Sequence, residues 1–466
     1  MIVPQNRLLF WFAVVVLPMT LVVAAEPAWA LAALAVIGLL TVVALVDAVG
    51  GRRQLAGIGV KLPEVVRLSK DREARLELRI QNRSQQRRPL RVALGLPAEV
   101  TSAQEDLRVE LPDGSEWSRL WWPCTPLKRG SYPVANAYVE CPSALGFWAL
   151  RRALPVNAEL RVYPNLLTDR KSLAALFLNR GAFGLHAQRQ VGKGRDFEKL
   201  REYVPGDGYE EIHWKATARR GKPITKVFQI ERTQEVYVVI DASRLSARTL
   251  GQEGRESLRS SVSSVASGAR ATENRILNAS VLERYLTAAL MLGLAAEQQG
   301  DLFGVLTFTD KVQRFVRAKN GKAHYSACRD ALYTLQPQLV SPDFDELCTF
   351  IRLRLRRRSL LFFLTALDDA QLAESFVRNV DLIRRQHLVL VNMVQPAGVQ
   401  PLFTHPGVAT LDQVYQELGG HLQWQKLREL EKVLQRRGVQ FSLLQNERLS
   451  AELVSQYLNV KRRQLL

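Results

Sequence analysis

Two long apolar segments open the chain and predict a pair of membrane-spanning helices. Residues 8–25 (LLFWFAVVVLPMTLVVAA) and 28–46 (AWALAALAVIGLLTVVALV) contain no charged side chain. Each is close to the roughly 20 apolar residues that a helix needs to cross a bilayer. Glu26 and Pro27 separate the two segments, so we predict a transmembrane helical hairpin within residues 1–53. A cleaved signal peptide is the alternative for the first segment, although the second segment follows it closely.

The charges that flank these segments predict their orientation. Arg7 precedes the first span, and Arg52 and Arg53 follow the second. Positively charged residues favour the cytoplasmic side of a membrane. We therefore expect a protein of the inner (cytoplasmic) membrane with two spans and with the bulk of the chain in the cytoplasm.

A period of two marks the next part of the chain, residues 54–164. Residues 75–81 (RLELRIQ) alternate between polar and apolar positions, which is typical of a strand with one buried face. Similar short segments occur at 90–96, 107–111, 116–122, 132–140 and 153–163, with Pro, Gly and Asp between them. Several short strands separated by turn signals favour an all-β sandwich.

From residue 232 onward, apolar strands and helical segments alternate. The pattern predicts strands at 235–240, 302–308, 312–316, 359–365, 387–394 and 440–444, and helices at 281–298, 322–335, 343–357, 369–385, 411–437 and 448–458. Helices between apolar strands are typical of a mostly parallel sheet that is covered on both faces. We therefore predict an α/β, Rossmann-like domain over residues 232–466.

Two segments depart from these patterns. Residues 165–231 join the two domains and are predicted to be a linker, with a helical piece near 172–178. Residues 244–279 are rich in Ser, Arg, Ala and Gly and poor in large apolar side chains, which indicates an insertion in the α/β domain. This insertion is either a lid or partner-binding loop, or a tolerated addition to the surface.

Charge and cysteine usage narrow the classes of partner. The chain has 466 residues and a formal net charge of +19 at pH 7, so it is attracted to acidic surfaces. No nucleic-acid-binding signature accompanies the basic residues, so we expect membrane lipid and a protein as partners and no nucleic acid. The cysteines are widely spaced and form no metal pattern, although a Cys124–Cys141 bridge across a hairpin stays open.

The predicted linker carries the densest concentration of glycine, aromatic and charged residues, 192–221 (GKGRDFEKLREYVPGDGYEEIHWKATARRG). This segment resembles bacterial domain-of-unknown-function family fifty-eight. The matching residues are Gly192, Gly194, Asp196, Phe197, Leu200, Arg201, Tyr203, Gly206, Asp207, Ile212, Trp214, Lys215, Ala216, Ala218 and Arg219. His213 departs from the pattern, because the family usually has Asp at this position.

The resemblance implies an architecture and a partner. It implies that the α/β domain is similar to von Willebrand factor type A domains, and that the partner is a MoxR-type AAA+ ATPase, because such ATPases are typically encoded beside the family. We therefore expect the motif to be a partner-binding surface. Its candidate residues are Gly192, Gly194, Asp196, Phe197, Leu200, Arg201, Tyr203, Gly206, Asp207, Trp214, Lys215 and Arg219.

The resemblance also raises the question of a metal site. Domains of this type often bind Mg²⁺ through D-x-S-x-S, a Thr and a distant Asp, because a hard cation prefers oxygen ligands. Asp241 and Ser243 match the first element, but Leu245 stands in place of the second Ser. Asp368 comes later than the position at which the family usually has its Asp. We therefore expect a degenerate site without a metal cofactor, and Mg²⁺ binding is the alternative.

Three functions stay open at this point. The leading prediction is a non-enzymatic, membrane-anchored cytoplasmic adaptor that works with the ATPase in chaperone-like assembly or envelope maintenance. The alternatives are a metal-dependent ligand-binding receptor and a hydrolase that uses acidic residues of the motif such as Glu198 and Asp207. We favour the adaptor because the chain shows no complete catalytic constellation.

Overall fold

The computed structural model describes most of the chain: residues 1–51, 54–167, 169–170, 191–205, 208–229, 234–249, 280–402 and 410–463, without the side chains of 191–199, 211 and 227–229. The helical piece predicted near 172–178 and most of the predicted insertion lie outside the described residues. The chain divides into two compact units, Met1–Asn165 and Leu166–Leu466. Each is described by itself below.

The first unit begins with the two apolar helices. They span Asn6–Ala25 and Ala30–Gly51, and a short 3-10 turn, Pro27–Trp29, joins them. Both are long and apolar enough to cross a membrane. Because almost none of their side chains is buried within the protein, lipid is the environment that suits their surfaces.

The rest of the first unit consists of two β-sheets. The strands are β1 (Ile2–Pro4), β2 (Ile58–Lys61), β3 (Val65–Ser69), β4 (Ala74–Asn82), β5 (Arg88–Leu94), β6 (Val100–Thr101), β7 (Leu107–Leu111), β8 (Trp117–Pro126), β9 (Gly130–Pro142) and β10 (Trp148–Tyr163). One sheet has the order β1-β10-β9-β5-β7, with β3 also paired to β10, and the other has the order β2-β4-β8-β6. The sequence pattern did not indicate the short strands β1, β2, β3 and β6.

Alternation along the strands builds the core between these sheets. In β4, Leu76, Leu78 and Ile80 are fully buried, whereas the residues between them are more exposed. Their partners come from both sheets, so one apolar cluster holds the two together. Cys124 lies on β8 and Cys141 on β9, in different sheets, and both thiols are free and buried. The alternative that a disulfide joins Cys124 and Cys141 across a hairpin is therefore wrong.

The open end of the helical hairpin is bonded to one end of β10. Strand β1, which precedes the first helix, pairs antiparallel with Trp148–Leu150. At the end of the second helix, the buried Asp47 accepts hydrogen bonds from the Ser143 hydroxyl (2.5 Å) and the Leu145 amide (3.0 Å). The Trp148 indole N–H donates to the Ala44 carbonyl at 2.8 Å. Both ends of the hairpin are thus fixed to the same loop and strand of the sandwich.

The second unit begins with a two-stranded antiparallel sheet, β11 (Val191–Glu202) and β12 (Ile224–Gln229), with the short helix Trp214–Arg220 between them. The main sheet contains β13 (Glu235–Asp241), β14 (Leu302–Phe308), β15 (Val312–Lys319), β16 (Ser359–Leu364), β17 (Leu388–Val394) and β18 (Gln440–Leu444). The helices are Val281–Gln298, Lys322–Leu332, Phe344–Arg354, Ala370–Asn379, Leu411–Arg436 and Leu449–Arg463.

The main sheet is mostly parallel and is buried on both faces. Its order is β15-β14-β13-β16-β17-β18, and only the edge strand β15 runs antiparallel to its neighbour. Along β13, Val236 and Val238 belong to one core cluster, and Tyr237 and Val239 to the other. This agrees with the prediction from alternating strands and helices.

Two boundaries differ from the sequence-based expectation. The predicted insertion was placed from residue 244, but Arg244–Ala247 forms a 3-10 turn in which Leu245 is buried. The side chain of Ser243 accepts a hydrogen bond from the Leu245 amide and so begins this turn. The segment expected to be a linker, 165–231, contains β11, β12 and a helix, because its aromatic and β-branched residues form a paired ribbon.

The hydrogen bonds of Asp47 generate the first prediction. Asp47→Ala leaves the Ser143 hydroxyl and the Leu145 amide without an acceptor in a buried place. We expect the first unit to lose about 1–3 kcal/mol of unfolding free energy. Amide hydrogen exchange of the full chain in lipid nanodiscs should show faster exchange at 143–148. Asp113→Ala, at an exposed turn position, is the matched control. Equal exchange in both variants would show that the hydrogen bonds of Asp47 do not stabilise this loop.

Candidate partner-binding site

The motif is folded around the β11–β12 ribbon. The register of the two strands shifts between Val191 and Asp196, so the two predicted glycines Gly192 and Gly194 fall in an irregular part of β11. After this, Phe197 pairs with Phe228, a second shift follows between Phe197 and Lys199, and the pairing then continues from Lys199 to Glu202. The helix that carries the second half of the motif thus follows a defined strand.

His213 begins this helix. Its ring Nδ1 accepts a hydrogen bond from the backbone N–H of Ala216 at 3.0 Å, which satisfies one of the free donors in the first turn. An Asp side chain at this position is a preferred N-cap, so His213 replaces the residue usual in the family with another acceptor. Gly221 ends the helix in the left-handed conformation, at φ 66°.

Two further contacts hold the helix against the ribbon. The Thr217 hydroxyl accepts a hydrogen bond from the Ile224 amide at 3.0 Å. Ile212 is buried and forms a bridge with Thr225, which is also buried. The motif is therefore anchored through small and apolar side chains, and its larger side chains are left for other contacts.

Those larger side chains are exposed. Trp214, the first residue of the helix, is 68% exposed, and Tyr209 is 78% exposed. The ring of Tyr209 lies 6.3 Å from that of Tyr203. Exposed tryptophan and tyrosine are the side chains that most often dominate protein–protein binding energy.

Basic side chains accompany the aromatics. Lys215, Arg219 and Arg220 are all exposed on the same short helix. Lys222 forms a fully solvated ion pair with Glu202 at 3.7 Å, an arrangement worth little in stability. The helix therefore presents a mixed aromatic and positively charged surface, which suits an acidic segment of a partner.

The other predicted motif residues have the following places. Leu200 is 40% exposed on β11, and Arg201 is next to it with its guanidinium 3.4 Å from the Glu202 carbonyl. The side chains of Asp196 and Phe197, as well as Gly206 and Asp207 entirely, lie outside the described part of the structure. Tyr209 and Arg220 belong to the exposed surface but were not among the predicted residues, although their types indicate such a role.

The predicted metal position lies elsewhere, at the carboxyl end of β13. Asp241 is completely buried. Its carboxylate accepts hydrogen bonds from the Ser243 amide at 2.8 Å and from the Thr365 hydroxyl at 2.7 Å. Burial raises the pKa of this carboxyl, and the hydrogen bonds from Ser243 and Thr365 lower it by less. The group is thus satisfied by its own surroundings.

The guanidinium of Arg248 lies at the same end of the sheet. Arg248 forms an ion pair with Asp368, whose side chain is mostly buried. Leu245 is buried and brings no oxygen. Within the described residues there is no group of three His, Cys, Asp or Glu side chains that could hold a metal ion. The donor set is a poor fit for Mg²⁺, because both oxygens of Asp241 accept hydrogen bonds and Arg248 neutralises Asp368. The second oxygen of Asp368, Oδ1, is buried without a hydrogen-bond partner.

Cys328 lies beside a histidine, but its thiol is not suited to nucleophilic catalysis. The Sγ of Cys328 lies 3.4 Å from the Nε2 of His324, which also contacts the Phe303 carbonyl at 2.9 Å. Burial raises the pKa of Cys328 to about 12, so the thiolate is scarce near neutral pH. This pair is explained by packing.

The second unit is thus an α/β domain with an exposed aromatic and basic motif attached to it. The family model described as protein of unknown function DUF58 matches residues 199–282 and 270–401. This match over residues 199–401 confirms the resemblance seen in the sequence for that part of the chain. The two apolar helices, Asn6–Ala25 and Ala30–Gly51, indicate that the protein associates with a membrane.

Solved structures show only distant likeness. BatB from Bacteroides thetaiotaomicron, a conserved hypothetical protein, is 12% identical over 49% of this chain and 99% of that chain, with a TM-score of 0.28. An aerotolerance-related membrane protein from Bacteroides fragilis is 10% identical over 48% of this chain and 98% of that one, with a TM-score of 0.26.

A third likeness is to proximal thread matrix protein 1 of the mussel byssus, which is 13% identical over 48% of this chain. Here the match spans only 45% of the other chain, with a TM-score of 0.25. No curated protein matches the chain. Scores of this size carry no argument about function.

The buried Asp241 generates a prediction of pH dependence. Because its pKa in the folded protein is raised above the usual 3.8, the unfolded chain loses this proton first as the pH rises. The unfolding free energy therefore falls from about pH 3.8 up through the raised pKa and stays low above it. Asp241→Asn keeps a hydrogen-bonding side chain and removes the buried charge, so we expect it to be more stable than the wild type at neutral pH.

Thermal unfolding of the detergent-solubilised full chain at several pH values tests this. The advantage of Asp241→Asn should shrink as the pH approaches 3.8. Thr365→Val, which leaves one carboxylate oxygen unpaired, should cost about 1–3 kcal/mol. Glu429→Gln, at an exposed carboxylate, is the control. A less stable Asp241→Asn at neutral pH would show that the charge itself is needed.

Proposed function

We propose that this protein is a membrane-anchored, non-enzymatic adaptor whose exposed motif binds another protein. The observation that carries the proposal is the exposed Trp214 on a helix that is held in place by other residues. A partner that covers Trp214 and Tyr209 would gain apolar burial at little cost in conformational freedom, because the helix is already formed.

The partner that we propose is a MoxR-type AAA+ ATPase, and the support for it is the family resemblance. The chemistry of the motif adds that the contact surface on the partner is acidic, because Lys215, Arg219 and Arg220 surround the aromatic side chains. We propose that the two proteins act in chaperone-like assembly or envelope maintenance, at the cytoplasmic side of the inner membrane.

The proposed orientation rests on the flanking charges. Arg7 lies at the open end of the helical hairpin, at the side where the sandwich is bonded. Positive residues favour the cytoplasm, so we propose that the bulk of the chain is cytoplasmic. We also propose that the second unit is a von Willebrand factor type A-like domain that holds no metal, because a guanidinium already compensates Asp368.

A pull-down tests the adaptor. Full-length tagged protein is captured from solubilised membranes, with and without ATP, and the ATPase recovered is quantified. Trp214→Ala and Arg219→Ala should each lower the recovered ATPase by about tenfold or more, because they remove central aromatic and guanidinium contacts. Neither should change the thermal midpoint of the chain, since both side chains are exposed.

The matched control is Trp121→Ala. Trp121 is also an exposed tryptophan, 53% exposed, but it lies in the first unit outside the motif. It should leave the recovery of the ATPase unchanged. The proposal fails if no ATPase is recovered in either nucleotide state, or if all three variants bind as well as the wild type.

A further inference from the structure

Basic segments meet at the amino end of the main sheet of the second unit. The parallel strands β13, β14, β16, β17 and β18 are in register, so they all begin at this end. The antiparallel strand β15 finishes there, because Lys319 pairs with Phe303. Lys461 brings the last helix to the same end, since its Nζ lies 2.8 Å from a carboxylate oxygen of Asp301. We call five segments together the basic end: 317–322, 355–358, 383–387, 436–439 and 461–463.

The basic end has a large excess of positive charge. Its segments contain thirteen Lys and Arg residues and no Asp or Glu. All thirteen side chains are exposed except those of Arg437 and Lys461, which are half-buried. The neighbouring Glu235, Asp301 and Asp381 form ion pairs with four of these cations. The carboxylates are fewer than the cations, so the surface as a whole stays positive.

The opposite end of the same sheet carries the other sign. The described loops at the carboxyl end contain more acidic than basic residues, and the acidic ones include Asp343, Asp345, Glu346, Asp368 and Asp369. The net charge of the chain is therefore not spread evenly over the second unit. An anionic surface is attracted to one end of the unit and repelled by the other.

The helix ends explain only part of this pattern. A cation near the C-terminus of a helix is stabilised by the helix dipole, and the effect is confined to the last turn. Arg317 and Lys319 are on a strand, and Arg356–Arg358 come after the end of the helix Phe344–Arg354. Like charges this close repel one another, and an anionic surface laid over them relieves that repulsion.

The composition of the basic end favours lipid over other anionic partners. Its five segments contain no Phe, Tyr or Trp. Proteins that bind single-stranded nucleic acid stack the bases on aromatic side chains, and protein interfaces centre on packed anchors such as Trp and Tyr. The six strands make the basic end about 24 Å wide. Cations spread this widely without aromatic anchors match the headgroups of an anionic leaflet.

We propose that the basic end binds the anionic headgroup surface of the membrane that holds the two apolar helices of this chain. Because these helices attach the chain to the membrane, that surface is present at a high effective concentration, and a weak electrostatic contact is sufficient. The proposal rests on the membrane attachment and not on the motif around Trp214. It makes the position of the second unit depend on lipid composition and on ionic strength.

Fluorescence quenching in lipid nanodiscs tests the proposal on the full chain. A fluorophore is attached to Gln435→Cys, an exposed neutral position next to Arg436. The native cysteines are buried, so the label goes to the introduced thiol. The discs contain a lipid with a nitroxide on its headgroup, in phosphatidylcholine with or without phosphatidylglycerol. We expect quenching to be at least about twofold stronger with phosphatidylglycerol, because basic residues are drawn to anionic headgroups.

Salt and two charge variants provide the specificity. Raising the salt from about 0.1 M to about 1 M shortens the screening length from about 10 Å to about 3 Å, and should remove the gain. The double variant Arg385→Gln and Arg436→Gln, at the basic end, should lose most of it. Lys311→Gln with Arg448→Gln removes the same charge from exposed positions at the carboxyl end and should keep it.

A second label position separates docking from general attraction. Ser341→Cys is exposed at the carboxyl end of the sheet, beside Val340, whose carbonyl accepts from the Arg244 amide. Its fluorophore should show no gain with phosphatidylglycerol. An equal gain at both label positions would show that the chain is attracted without a defined docking surface. Equal quenching in the two kinds of disc would show that the basic end does not meet the headgroups.

Nucleic acid is the competing occupant. Binding of a single-stranded RNA to the full chain in phosphatidylcholine discs, with loss in the Arg385→Gln and Arg436→Gln variant and no gain in quenching, would assign the basic end to nucleic acid. Trp214→Ala should leave the quenching unchanged, and the double variant at the basic end should recover as much ATPase as the wild type. The docking proposal and the adaptor proposal therefore fail separately.

Discussion

The burial of the central strands on both faces is the constraint on which the second unit depends. Strands β13, β16 and β17 are apolar almost throughout, because helices cover both sides of the sheet. Polar side chains are few in these strands, and the buried Asn392 of β17 is one of them. At the carboxyl end of the sheet, Asp241 accepts hydrogen bonds within the domain, and Arg248 forms an ion pair with Asp368.

The motif of the second unit presents large side chains to solvent. Trp214 is exposed there among basic residues. The backbone of its helix is held by the His213 cap and by the contact between Thr217 and Ile224. The exposed apolar groups are therefore pre-organised, which lowers the entropic cost of binding.

In the first unit, the two apolar helices are attached at both ends to the β-sandwich. The chain entering the first apolar helix and the chain leaving the second are both bonded to the loop and strand around Trp148. Asp47 at the base of the hairpin is buried, and both of its carboxyl oxygens accept a hydrogen bond, so neither is left without a donor. A sandwich held at two points has less freedom to swing than one joined by a single linker.

The sequence by itself determined the elements whose burial is periodic. The two apolar helices, the alternating strand at Leu76 and Ile80, and the apolar strands and helices of the second unit agree with their predicted places to within a few residues. The motif was also evident, because its unusual residues are adjacent in the chain. Periodicity reports the local environment of each residue, and these features depend on little else.

Only the tertiary structure decided which distant segments meet. It placed Cys124 and Cys141 in opposite sheets, added the three-residue strand β1 to β10, and paired Arg248 with Asp368. It also showed Trp214 exposed. The physical reason is that a short strand and an ion pair form only when a partner from a distant part of the sequence is close in space. A ring stays exposed only when no such partner covers it. The local pattern of hydrophobicity does not encode which distant residues come together.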